Sequence, residues 1–323
     1  MATKNLTDAR KAKKDEFYTQ LSDINAELQH YAQHFRGKTV LCNCDDPRVS
    51  NFFKYFSLNF ENLGLKRLIS TCYKSQEVDL FSQNISVQAC YIIYDGDRNG
   101  NRMPDPEEMD IQTFEGDGDF RSRECVELLK TADIVVTNPP FSLFREFVAQ
   151  LIAYKKKFLI IGNMNAVTYK EIFPLIMHGE MWLGCSIHSG DREFGIPQDY
   201  PVTAAGHRID NEGNKFIRVK GVRWFTNLDY KERHEDLDLY KHYTPDEYPK
   251  YDNYDAINVD KTSDIPIDYS GVMGVPISFL DKFNPEQFEI LGLDDHRVAW
   301  LGHGPSIGGV CKYRRIIIRH KKF

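Results

Sequence analysis

No apolar run in this 323-residue chain is long enough to span a bilayer, and residues 1–14 are polar and basic, without the hydrophobic stretch that directs secretion. A membrane span and a secretory leader are thereby excluded, and a cytoplasmic location is expected. A disulfide framework is lacking as well. The seven cysteines, at positions 42, 44, 72, 90, 125, 185 and 311, are odd in number and irregular in spacing. Cys42-Asn43-Cys44 reads as two small side chains on one face of a strand. Zinc ligation there would need a second Cys/His pair at metal spacing, which the sequence does not supply, so no metal is expected. Internal repeats and low-complexity tracts are absent, which excludes solenoids and arrays. A net positive charge is lacking too: 41 Lys and Arg stand against 47 Asp and Glu, for a net charge of −6.

What is present is an ordinary globular composition. With 41% apolar and 27% charged residues, the chain can bury a real core, and its length suits one large α/β domain with a smaller appendage. The charge is unevenly spread. Lys4, Arg10, Lys11, Lys13 and Lys14 against Asp8 make residues 1–14 a basic arm, and Lys312, Arg314, Arg315, Arg319, Lys321 and Lys322 make the other end basic. Two basic ends on an acidic body either hold phosphates or solubilise the chain.

Periodicity orders the elements. Asp15 to Phe35 carries Phe17, Leu21, Ile24 and Leu28 at helical spacing. Thr39 to Asn43 reads as a buried strand, a helix follows through Phe52, Phe53 and Phe56, and Leu68 to Tyr73 reads as the next strand. This opening is that of a doubly wound parallel sheet. Ile85 to Tyr94 and the Asp95 to Asn101 turn read as an inserted hairpin, the turn solvated rather than calcium-binding because Pro106 stands where a loop of that kind needs Glu. Strand-helix alternation then resumes: helix Arg123 to Lys130, strand Asp133 to Thr137, helix Leu143 to Tyr154, strand Lys157 to Gly162, helix Thr168 to Met177, and strands Met181 to Ile187 and Val222 to Leu228. The Gly-rich polar stretch 185–220 is an insertion. Beyond Asp229, Tyr, Asp, Glu and Lys dominate and prolines punctuate short apolar pieces. Irregular loops packed on a parent domain are expected there, not a second core.

The most informative residues are Asn138-Pro139-Pro140-Phe141, at the carboxyl end of an apolar strand. Ligands of open α/β sheets bind beyond that end. The turn suits chemistry at an exocyclic amine, whose lone pair is delocalised into its ring. Acceptors on both N–H bonds, the Asn138 side-chain oxygen and the Pro139 carbonyl, draw the nitrogen towards a pyramidal geometry and free the lone pair. Two prolines stiffen the turn, and Phe141 offers a stacking face for a base taken out of its duplex.

This turn resembles the signature of amino-group methyltransferases, and further segments resemble the EcoRI-type adenine-N6 DNA methyltransferase family. They are Asp15 to Gln20, Cys42 to Phe56, Gly116 to Ser122, Thr137 to Arg145, Tyr248 to Val259 and Gly271 to Gln287. The resemblance implies a Rossmann-like class I S-adenosylmethionine-dependent methyltransferase fold: α/β, with a central, mostly parallel seven-stranded sheet. It implies methyl transfer from S-adenosyl-L-methionine to N6 of a flipped-out adenine in double-stranded DNA. Asn138, Pro139, Pro140 and Phe141 would be catalytic. Phe17, Tyr18, Thr19 and Asp46 would meet the methionine moiety of the cofactor, Asp119 and Phe120 its adenine, and Asn138 would border it too. Asp46 also admits a reading as a helix N-cap beside Pro47.

The implied organisation is a flexible basic arm over 1–14, a catalytic domain over 15–229 whose insertion 185–220 contacts DNA, and a target-recognition segment over 230–323. A monomer is implied, with any cognate restriction endonuclease acting separately, and GAATTC is the first target to test. His188, Arg192, His207, Arg208, Asn211, Asn214, Lys215 and Arg218 of the insertion are types suited to phosphates and base edges. Two departures stand out. The usual Gly-rich loop is replaced by Arg48 to Phe52, and Cys72-Tyr73-Lys74 offers no acid for a ribose, leaving Glu77 and Asp79 as candidates. The same Pro-Pro-aromatic turn also serves RNA adenine and protein glutamine methylation, and a catalytically idle DNA-binding protein on this scaffold is the third reading.

Overall fold

The computed structural model describes residues 18–44, 50–73, 89–101, 104–188, 190–196, 207–294 and 305–322. The chain divides into two compact units, Met1–Ala166 with Ser189–Leu228, and Val167–His188 with Asp229–Phe323.

In the first unit a two-residue strand β1 (Tyr18–Thr19) precedes α1 (Leu21–Leu28), which continues through a 3-10 turn at Gln29–Tyr31 into α2 (Ala32–Phe35). The apolar spacing works as expected: Ile24, Leu28, Tyr31 and Phe35 are all buried. The expected helical start at Asp15 is corrected for the described part, because Tyr18 and Thr19 are extended and pair antiparallel with Gly195 and Phe194. A strand partner some 175 residues away in sequence overrides the local period.

The central strands are β2 (Thr39–Cys42), β3 (Arg67–Thr71), β4 (Cys90–Tyr94), β5 (Met109–Thr113), β6 (Ile134–Thr137) and β7 (Lys157–Asn163). They are separated by α3 (Asn51–Leu58), α4 (Phe60–Leu63), α5 (Arg123–Thr131) and α6 (Phe144–Ala153). Every residue of β2 and β6 is buried, as short apolar runs in a parallel centre require. Together with β11 (Val222–Thr226), the strands of this unit run β5-β4-β3-β2-β6-β7-β11.

The pairings of β3 with β2, β2 with β6 and β6 with β7 are parallel; those of β5 with β4, β4 with β3 and β7 with β11 are antiparallel. The sheet is thus mixed at its margins and mostly parallel, as expected: β2, β3, β5, β6 and β7 run in one direction, and β4 and β11 run against it. The hairpin expected as an insertion forms one of those margins. Its connecting turn is closed by its own groups: the buried Glu108 carboxylate accepts from the amides of Arg98, Asn99 and Asp105.

Stretch 185–220, expected as a loop-like insertion, contains β8 (Asp191–Ile196), β9 (His207–Ile209) and β10 (Lys215–Lys220), forming an antiparallel sheet in the order β1-β8-β10-β9. Phe194, Ile196, Ile217 and Val219 supply its buried face.

The second unit holds α7 (Phe173–Met177) and a sheet ordered β12-β13-β15-β14, made of β12 (Ile257–Asn258), β13 (Met273–Pro276), β14 (Phe288–Asp294) and β15 (Arg315–His320). The strand expected over Met181 to Ile187 is reduced to Trp182–Leu183. Irregular loops were the expectation beyond 229; the sheet corrects it, and Met273, Val275, Phe279, Phe288, Ile316 and Ile318 form its core. Three of the cations at this basic end, read from sequence as either holding phosphates or solubilising the chain, have internal carboxylates: Arg315 meets Asp260, Arg319 meets Glu289 and Lys322 meets Asp236. Among the described residues no helix is long and apolar enough to cross a membrane.

Candidate active site

Strand order reverses at β2, which has β3 on one side and β6 on the other. Beside such a switch point the carboxyl ends of two parallel strands lead away to opposite sides and leave a crevice. Here the opening is visible in the register. β2 pairs with β3 as far as Cys42 and β6 pairs with β7 as far as Thr137, whereas the pairing of β2 with β6 stops at Leu41 and Val135. Past that point the Thr137 hydroxyl donates to the main-chain carbonyl of Asn43, and this buried side-chain bond replaces the missing ladder.

Asn138, Pro139, Pro140 and Phe141 stand directly beyond. Asn138 is 9% exposed, Pro139 is buried, and Pro140 and Phe141 are half-buried. The prolines fix the backbone, and the Leu143 amide donates to the Pro140 carbonyl at 2.9 Å, closing a 3-10 turn over Phe141–Leu143 that opens α6. That helix is seated by Phe144, whose ring lies where a Cβ on Gly162 of β7 would approach to 2.5 Å. The absent side chain lets helix and sheet close together, which anchors the turn from below.

On the other side of the crevice, Gly118 takes φ +74° against the Cys72 carbonyl that follows β3. A left-handed backbone at this close approach requires glycine. It brings Asp119 and Phe120 to the same edge. Phe120 is buried, stacks edge-on against Phe147 of α6 with centroids 5.1 Å apart, and its carbonyl accepts from the Gln150 side chain at 3.0 Å. The Asp119 carboxylate is held by the Arg121 guanidinium at 2.6 and 2.9 Å, and Arg121 in turn reaches Glu146 at 2.9 Å. The hydrogen bond it donates to Asp119 raises the Arg121 pKa further above its ordinary value. Asp119 is therefore oriented, with part of its acceptor capacity already engaged by Arg121.

Thr19 is 2% exposed; its hydroxyl oxygen is buried and lacks a hydrogen-bond partner among the described residues, and its carbonyl accepts from Asn51 at the start of α3. Tyr18 lies beside it on β1. Phe17, Asp46, Glu77 and Asp79 lie outside the described residues. The N-cap of α3 is Ser50, whose hydroxyl accepts from the Phe53 amide at 3.0 Å.

Two further residues belong to this edge and were not picked out from sequence, Thr137 and Asn43. Asn43 is 3% exposed, and its side-chain oxygen has no partner among the described residues. Their signal was a polar residue terminating each of two fully apolar strands.

Of the insertion's polar residues, Arg208 stacks on Phe216 at 4.5 Å and pairs with Glu193 at 2.7 and 3.1 Å, while Arg218 faces Glu193 from the neighbouring strand. The hydrogen bond from Arg208 holds the Glu193 carboxyl below its ordinary pKa. Arg192 approaches Asp23 at 3.7 Å, and burial raises the Asp23 pKa against that attraction. Asn214 bonds Asp210.

A mixed α/β sheet carrying a stiff Asn-Pro-Pro-Phe turn beyond its switch point fits the methyltransferases that act on exocyclic amines. The chain belongs to the family described as adenine-specific methyltransferase EcoRI, whose model matches residues 5–321. It is 52% identical to the type II methyltransferase M.EcoRI of Escherichia coli, over 99% of this chain and 97% of that protein. It is 36% identical to the type II methyltransferase M.MgeORF184P of Mycoplasma genitalium, over 97% of this chain and 98% of that one. A further relative, the type II methyltransferase M.MpnI of Mycoplasma pneumoniae, is also 36% identical, over 97% of both chains. No solved structure matches the chain significantly.

Proposed function

We propose that the protein methylates N6 of an adenine extruded from a specific sequence of duplex DNA, using S-adenosyl-L-methionine. The observation that carries this reading is the Asn138 to Phe141 turn, fixed by two prolines, α6 and the Thr137 clamp at the carboxyl end of β6. Asn138 Oδ1 and the Pro139 carbonyl accept the two N–H bonds of the adenine amino group and localise its lone pair on nitrogen. Phe141 covers one face of the flipped ring. The turn meets the base already in its reactive geometry, so little entropy is lost at the moment of reaction. The amino group releases its extra proton to solvent, and no strong general base is required.

The residues of this edge fit the cofactor. Its charged end needs polar partners, and the buried Thr19 hydroxyl is such a group with none of its own among the described residues. Its flat ring needs an apolar wall and an oriented acceptor, which Phe120 and the Arg121-held Asp119 provide. When bound, the cofactor supplies an electrophilic sulfonium methyl. Phe17, Tyr18 and Asp46 complete this proposed set. The class I arrangement of the sheet is part of the same reading.

Residues 185–220 and 230–323 are proposed to hold and read the DNA, the first through the Arg208–Phe216 stack on β9 and β10. Single-molecule sequencing of DNA from cells expressing the protein tests the proposal. N6-methyladenine in one recurrent context is expected. Unmodified DNA, with tritium from labelled S-adenosylmethionine passing to RNA or protein, would overturn it.

A further inference from the structure

The ladder between β3 and β4 closes on two cysteines. Thr71 lies opposite Tyr91, and one step further the Cys72 amide donates to the Cys90 carbonyl at 2.9 Å, which sets Cys72 against Cys90. Directly opposed residues of an antiparallel pair share a face, with Cα atoms about 4.5–5.5 Å apart. That span lies inside the range of about 4.4–6.8 Å that a disulfide bridges. The two sulfurs are already 3.3 Å apart, and both cysteines are reduced. Cys72 is buried and Cys90 half-buried, so one member of the pair is within reach of solvent and the other stands behind it. Cys125 is engaged elsewhere: its thiol donates to the Gly118 carbonyl at 3.4 Å, and burial pushes its pKa up to about 11.

We propose that Cys72 and Cys90 form a reversible disulfide on exposure to a peroxide, and that this bond weakens the hold on S-adenosylmethionine. The Cys90 thiolate attacks a peroxide oxygen and the O–O bond breaks. The departing hydroxide takes up the proton that Cys90 has released, and Cys90 becomes a sulfenic acid. The Cys72 thiol then attacks the Cys90 sulfur; the S–S bond forms, the S–O bond breaks, and the second hydroxide leaves with the Cys72 proton as water. Two thiols have lost two electrons, and one hydrogen peroxide has become two waters. A dithiol reductant reverses the change by exchange and is itself oxidised. The consequence for the cofactor rests on the cofactor reading above. Gly118 is packed on this pair: a Cβ there would lie 2.4 Å from the Cys72 carbonyl oxygen and 2.9 Å from Ala89, the residue before Cys90. Closing the sulfurs by about 1 Å to bonding distance shifts the two strand ends, and with no slack at Gly118 the turn carrying Asp119 and Phe120 shifts with them. A binding group tolerates only about 0.5 Å of misplacement.

The test reads thiols and cofactor affinity on the same samples. Full-length protein is reduced, treated with hydrogen peroxide, alkylated with iodoacetamide and digested for mass spectrometry. A peptide pair joined through Cys72 and Cys90, and separated by dithiothreitol, is expected. Calorimetric affinity for S-adenosylhomocysteine should fall by about 10-fold or more on oxidation and return with dithiothreitol. Cys90→Ser and Cys90→Ala should bind like reduced wild type, with or without peroxide. Separate alkylation of both cysteines after peroxide, or oxidation of Cys90 that dithiothreitol does not reverse, would overturn the proposal. So would a joined pair that binds S-adenosylhomocysteine as tightly as the reduced protein, or the same loss of affinity in the Cys90 variants. Failure of the reduced wild type to bind S-adenosylhomocysteine would instead overturn the cofactor reading, because the mapped bond is read without any ligand.

Discussion

At the scale of single residues, chemistry is concentrated in a few side chains whose neighbours leave them little freedom. Phe141 is half-buried at the mouth of the turn, and its proposed work is to cover a base that has left its stack. Phe141→Ala should therefore reduce the fluorescence rise of 2-aminopurine placed at the target adenine, and Phe141→Trp should preserve it. The same rise in both variants would argue against stacking. A different residue sets a pH dependence. His234 lies between Asp229 and Glu286, with ring nitrogens 2.9 and 3.0 Å from their oxygens, and the hydrogen bond to Asp229, then that to Glu286, raises its pKa above the ordinary value of 6.5. A raised folded pKa means that this stabilisation is complete below the unfolded value and is lost as pH climbs through the folded one. The His234 side chain is 38% exposed, so screening holds the contribution below about 1 kcal/mol. The melting temperature should show a small downward step as pH rises from about 6 to about 8, and His234→Gln should remove it. An identical step in that variant would exclude His234 as its source.

At the scale of elements, the clamp between β2 and β6 matters most. Thr137→Val keeps the shape and removes the buried hydroxyl, leaving the Asn43 carbonyl without that bond at a cost of about 1–3 kcal/mol. Urea unfolding should shift to a lower midpoint, and turnover should fall because the turn loses its tether. An unchanged midpoint would show the clamp to be dispensable.

This is also the scale at which sequence was most and least informative. Strands β2, β3, β6, β7 and β11 are short apolar runs buried on both faces, and each was legible from composition alone. Strands β8 to β10 were not. Their charged residues alternate with apolar ones on a sheet with one wet face, and their first partner, β1, lies at the far end of the chain, where Phe17 and Leu21 extend the helical period. Strand β12 is two residues long and acquires its identity only through β13. The Asn-Pro-Pro-Phe turn was readable because its chemistry is local. Asn43 and Thr137 were not singled out, because their meaning depends on two strands parting, which no window of sequence contains.

At the scale of the whole molecule, a net charge of −6 has to be reconciled with a polyanionic partner. Several cations at the C-terminal end are already matched by Asp260, Glu289 and Asp236, so they are poor candidates for bulk attraction. Arg208 is better placed: it is half exposed, stacked on Phe216 and oriented by Glu193. If it meets a phosphate, Arg208→Ala should weaken DNA binding and reduce the slope of log affinity against log salt by about 1, while cofactor affinity stays unchanged. A slope equal to wild type would place Arg208 outside the DNA interface.

The most direct test of the proposed chemistry is to compare turnover and cofactor binding in Asn138→Ala. Loss of one positioned acceptor from the reacting amine should lower the single-turnover methylation rate by about 100-fold or more, with affinity for S-adenosylmethionine kept within about 2-fold. Methylation at the wild-type rate in that variant would mean that the amine is activated elsewhere and that the turn is only a rigid end to a strand.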